Sequence, residues 1–207
     1  MTNPEVRRQK QLTRQRQKLK EKARRTNTDK ASALQRQLAL AATAPIRKCL
    51  VPDNLNEQGI GMLVFGRTLP GGRIAAAMFL VDVFCLGVKN ASLAVLSSDA
   101  YAQTVESMSH HGHYAGMDPA SFRKLVEGAV SYADNLGFPP HPDYAVARRI
   151  FGDVDAASST QTFAYGRNGK PFYVNGPDET PSRVREIIER LQRQPGGADY
   201  MVGGPPI

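Results

Sequence analysis

Phe79-Leu80-Val81-Asp82-Val83-Phe84-Cys85-Leu86-Gly87-Val88 is the most apolar run in the chain, and an aspartate interrupts it. Met78, Leu80, Phe84 and Leu86 share one alternating set with Asp82, and Phe79, Val81, Val83, Cys85 and Gly87 make up the other. A run apolar in both sets reads as a strand covered on both faces. Just upstream, Leu69-Pro70-Gly71-Gly72 carries a type II turn signature, with proline second and glycine third. Residues 60–65 and 73–88 are therefore expected to form a long-armed β-hairpin. An ionised carboxylate in such a strand needs a cation or several N–H donors. Arg67, Arg73, Lys89, Arg148 and Arg149 are the candidate cations.

Working outward, Ser98-Asp99 caps a helix expected to run to about Met108. Asp118-Pro119 opens the best helix of the chain, with Phe122, Leu125, Val126, Ala129, Val130, Ala133 and Leu136 as its apolar stripe and Gly137 as its stop. The loop Phe138-Pro139-Pro140-His141-Pro142 leads to a short helix over residues 143–151. Arg167-Asn168-Gly169-Lys170 lies between the aromatic runs 163–166 and 171–174, which predicts a second hairpin. Thr180-Pro181 starts a last helix with Val184, Ile187, Ile188 and Leu191 on one face, and Tyr200-Met201-Val202 reads as a short strand. Before the body, Asn27-Thr28-Asp29 caps a helix bearing Leu34, Leu38, Ala41 and Ala42, which Pro45 ends. The expected fold is α+β: a single domain over residues 46–202 with two hairpins and about four helices. A basic arm, disordered or helical, precedes it over residues 1–45, and a loose tail follows over 203–207.

Charge divides the chain. Residues 1–48 hold 14 Lys and Arg against 3 Asp and Glu, a net +11, and residues 49–207 hold 13 against 16, a net −3. The arm is rich in Arg, Lys and Gln, with little to bury. Arg7, Arg8, Lys10, Arg14, Arg16, Lys18, Lys20, Lys22, Arg24 and Arg25 are its candidate phosphate contacts. Counterion release from phosphates is the physical reason such a segment binds nucleic acid without reading sequence. Arg167 and Lys170, beside Tyr165, Phe172 and Tyr173, form a second candidate: a small basic platform of the kind that stacks bases.

The body offers two other constellations. His110, His111 and His113 share a loop, and His141 stands near Asp143. Their spacing matches no standard zinc pattern, so no metal centre is expected there. Asp82, Glu127 and Asp134 could form a strand-and-helix carboxylate set of the kind that holds divalent ions around a phosphodiester. No nucleotide fingerprint, Walker motif or nucleophile elbow is present, so no cofactor is identified.

The runs FLVDVFCLGVKN, LVEGAVSYADNLGFPPHPDY and GRNGKPFYVNGP resemble those of a bacterial protein family with no known activity. The resemblance covers residues 46–202 and implies no function. No apolar run reaches the ~18 residues of a membrane helix, and no membrane partner is expected. Cys49 and Cys85 read as buried thiols of a cytoplasmic protein. The leading expectation is a nucleic-acid-binding protein, favouring RNA over DNA. The alternatives are a metal-dependent hydrolase or nuclease with carboxylate and histidine ligands, and an interaction module for an acidic partner.

Overall fold

The computed structural model describes residues 36, 39–177, 179–194 and 198–201. Residues 41–207 form one compact unit and residues 1–40 another. All labelled elements belong to the former. In chain order they are β1 (Ile46–Pro52), α1 (Leu55–Gln58), β2 (Ile60–Thr68), β3 (Ile74–Asp82), β4 (Gly87–Leu96), α2 (Ser98–Ser109) and β5 (Tyr114–Gly116). There follow α3 (Pro119–Asn135), α4 (Tyr144–Ala147), β6 (Phe172–Val174), α5 (Pro181–Gln192) and β7 (Asp199–Met201). The fold is α+β. Its centre is a five-stranded antiparallel sheet in the order β4-β3-β2-β1-β5, with β6 and β7 as a separate parallel pair.

The first hairpin forms as the turn signature predicts. Ile60 pairs with Asp82 and Thr68 with Ile74, and Gly71 adopts φ 78° and ψ 17°, the left-handed geometry of a type II turn's third residue. The second arm is shorter than expected. The run 79–88 is not one strand: β3 stops at Asp82, residues 83–86 turn, and β4 begins at Gly87 with φ 64°. The cause is Asp82 itself, whose Oδ1 accepts the N–H groups of Phe84 and Cys85 at 2.9 Å each. A carboxylate that binds the backbone two and three residues on is a turn-former.

The second predicted hairpin is also corrected. Asn168 and Gly169 take φ 55° and 78°, and Arg167 and Lys170 exchange backbone hydrogen bonds of 2.8 and 3.1 Å, so the tight turn exists. Its arms do not pair. Gly166 N–H donates to Val83 O at 2.9 Å and Phe172 N–H to Phe84 O at 3.1 Å. The loop therefore grips the β3–β4 turn, and β6 pairs with β7 instead.

The sheet is covered on both faces. On one, Phe65, Phe79, Phe122 and Phe151 meet with ring centroids 5.4–6.3 Å apart, mostly edge to face. Leu63, Ala75, Ala77, Leu125, Val126 and Ile150 complete that core, which α3, α4 and a 3-10 turn at Arg148–Phe151 supply. On the other, Val64, Ile74 and Ala76 meet Tyr101 of α2. Asp118 caps α3 by accepting from Ser121 N–H at 2.9 Å. Gly137, at φ 83°, ends it: Gly137 N–H bonds Asp134 O and Phe138 N–H bonds Ala133 O, the paired bonds of a Schellman motif.

Arg67 is an unexpected buried cation, 2% exposed. Its guanidinium donates to Ile150 O at 2.8 Å, Phe151 O at 2.7 Å and Ala44 O at 2.5 Å. It thus fastens the 148–151 turn and residue 44 to β2.

Candidate functional site

The ten candidate arm contacts, from Arg7 to Arg25, lie outside the described residues. Arg167 and Lys170 are described, and both are exposed at the tip of the tight turn. The aromatic part of that platform is rearranged. Tyr173 is fully buried, and the Arg167 guanidinium lies 4.7 Å from the centroid of the Phe172 ring. Phe172 in turn packs edge-on against Phe84, with centroids 6.3 Å apart. The guanidinium therefore covers part of the aromatic face that the sequence offered as a platform.

The carboxylates predicted as a set do not converge. Asp82 caps its own turn. Glu127 accepts from Arg123 at 3.0 Å and pairs with Arg148 at 3.3 Å. Asp134 is exposed on α3, and Asp153, itself exposed, pairs with Arg67 at 3.1 Å. The histidines of the 110–113 loop are exposed, and His141 lies across the chain beside Asp143, with Nδ1 3.8 Å from its carboxylate. Among the described residues no group of three His, Cys, Asp or Glu side chains is placed to hold a metal ion.

The partner of Asp82 is backbone, not a cation. Arg67 is committed elsewhere, and only Lys89 among the candidates bears on the carboxylate. Burial pushes the Asp82 pKa from 3.8 up to about 6, and the N–H donors of Leu86, Phe84 and Cys85, together with Lys89, restrain the rise.

Sequence reading missed a polar cluster beside that turn. Glu179 Oε1 pairs with Lys89 Nζ at 2.8 Å, both side chains 17% exposed. Its Oε2 accepts from the Tyr173 hydroxyl at 2.5 Å and from Gly176 N–H at 3.0 Å. Burial acts to raise the Glu179 pKa, but the donors Lys89, Tyr173 and Gly176 outweigh it and hold the carboxyl below its usual range. Burial, and then the hydrogen bond to Glu179, push the Tyr173 phenol well above its usual range, so it acts as a donor. The cluster borders a cavity of about 390 Å³ lined also by Val88, Phe138, Pro140, His141, Arg183 and Ile187. No local motif could have revealed it: Lys89 lies 90 positions from Glu179 and only the fold unites them. Chemically, both Glu179 oxygens are occupied and Lys89 is neutralised by its partner. The cluster is suited to joining α5 to β4 rather than to general acid–base work.

The chain matches no family model, no curated protein and no solved structure.

Proposed function

We propose that this is a nucleic-acid-associated protein, RNA favoured over DNA, that holds the phosphate backbone through its basic N-terminal segment. The observation that carries the reading is the division of charge, +11 over residues 1–48 against −3 over residues 49–207. A slightly acidic body does not attract polyanions as a whole. Affinity then resides in Arg7, Arg8, Lys10, Arg14, Arg16, Lys18, Lys20, Lys22, Arg24 and Arg25. Arg167, stacked on Phe172 at an exposed turn, and Lys170 beside it supply a second, smaller contact. RNA is favoured because Arg-rich segments commonly fold on it. A cytoplasmic setting suits the two buried free thiols, Cys49 and Cys85. Among the described residues no helix is long and apolar enough to cross a membrane.

The test is binding of the full chain to a single-stranded RNA, and to DNA of the same sequence, across a salt series. Changing Arg14, Arg16, Lys18 and Lys20 together to Gln removes four phosphate contacts. The slope of log Kd against log salt is expected to fall by roughly 3, at ~0.7 per phosphate for single strands. Unchanged affinity and slope would remove the arm from the binding surface. Tighter binding to DNA would reverse the stated preference.

A further inference from the structure

β4 is an edge of the five-stranded sheet, and its outer side is only partly closed. At one end His141 N–H donates to Val88 O at 2.9 Å, and the ladder with β3 shifts register between Leu80 and Val81. Both are devices that blunt an edge. Beyond them, Asn90-Ala91-Ser92-Leu93-Ala94-Val95-Leu96 bonds to β3 on its inner side. Among the described residues nothing bonds the outward peptide groups of this stretch. It holds no charge and no proline. Its Leu93 and Val95 are half-buried against the main core, and Leu96 against the core on the other face.

We propose that a second copy of this chain pairs antiparallel with residues 90–96 of β4 about a twofold axis at Leu93, joining two sheets into one of ten strands. Such an isologous pair satisfies the outward N–H and C=O groups of both copies at once. Opposed positions are Asn90 with Leu96, Ala91 with Val95 and Ser92 with Ala94. No like charges meet, and at the axis Leu93 faces its own copy as an apolar pair. An extended peptide from another protein fits the edge less well. Strand addition takes its specificity from pockets for alternate side chains. Three cavities among the described residues, of about 310, 390 and 340 Å³, are lined by other segments and offer residues 90–96 no such pocket.

The experiment is sedimentation of nuclease-treated full chain at ~0.5 M salt, which removes nucleic acid as a bridge. The expected species is a dimer. Ser92→Lys, at an exposed position that leaves the core untouched, puts two cations on one face at diagonal positions about the axis, ~7–8 Å apart, and is expected to raise the dimer Kd at least tenfold. Leu93→Cys places two thiols opposite each other, ~4.5–5.5 Å apart at Cα, and is expected to form an interchain disulfide on oxidation. A chain that stays monomeric to ~100 µM overturns the proposal, whether or not it captures an extended peptide. So does a dimer that Ser92→Lys leaves intact, or one in which Leu93→Cys never cross-links.

Discussion

Asp82 converts a pH titration into a reading of its own burial. The carboxyl is 7% exposed, and its pKa is raised from 3.8 to about 6. An acid raised in the folded state holds its proton more tightly there than in the unfolded chain. The native state is therefore favoured at low pH, and that contribution is lost as the pH climbs from below 3.8 to above 6. Across the whole window the gap amounts to about 3 kcal/mol. Asp82→Asn does not ionise, and its Oδ1 can still accept the Phe84 and Cys85 N–H groups that Asp82 Oδ1 accepts at 2.9 Å. Between pH 4 and pH 7.5, its stability relative to the native sequence is expected to rise by about 2.5 kcal/mol, the remainder of the window lying below pH 4. Asp82→Ala leaves the Phe84, Cys85 and Leu86 N–H groups without that acceptor and is expected to destabilise at pH 4 by about 1–3 kcal/mol or more.

The assay is urea denaturation followed by circular dichroism at closely spaced pH values and constant ionic strength. The difference between variant and native curves cancels every other titrating group, Glu179 included, provided the fold is unchanged. A difference that stays flat from pH 4 to pH 8 would refute the reasoning, because no buried carboxyl with a raised pKa behaves so. A difference that falls with pH would show that the N–H donors and Lys89 win over burial.

Two further outcomes follow from the buried polar contacts. Arg67→Leu strips donors from the carbonyls of Ala44, Ile150 and Phe151, and is expected to cost about 3–5 kcal/mol in denaturation; Asp153→Asn, whose side chain is 76% exposed, should change stability by less than about 1 kcal/mol. Glu179→Gln removes the ion pair to Lys89, and is expected to destabilise by about 1–3 kcal/mol near neutral pH. Because the Glu179 pKa is lowered, its contribution is present above the ordinary value of 4.5 and is lost as the pH falls through the folded value, so the native and Gln curves should approach each other in acid.

How much of this was legible depends on whether the signal is local. Caps and turns act over three or four residues, and Asp118, Thr180, Gly137 and the Pro70-Gly71 turn all do what their neighbours in sequence imply. The helix stripes of α3 and α5 are legible for the same reason: period and burial agree. β1 and β4 were not legible. The first three residues of β1 are exposed, and β4 is built largely of small residues, so neither shows clean alternation. The run at 79–88 misleads through its apolarity, which hides a turn marked by Asp82 and by Gly87 at φ 64°. Asn168-Gly169 specifies a tight turn but not a hairpin, because turn type is local and strand pairing is not.

The same distinction explains where the polar groups went. A buried carboxylate prefers the nearest donors that require no further ordering, and for Asp82 these are the N–H groups of its own turn rather than any of the five candidate cations. That choice frees the neighbouring cation: Lys89 turns to Glu179 and ties β4 to the residue just before α5. It also shapes the turn at 83–86 so that Val83 O and Phe84 O point toward Gly166 and Phe172, which close on it from the Arg167-Asn168-Gly169-Lys170 loop. Arg167 is thereby held above Phe172, the position that gives it a role in the proposed nucleic-acid contact. Asp82 is thus linked through geometry to the loop that carries Arg167: changing its hydrogen bonds should move that loop, whereas changing its charge alone should not.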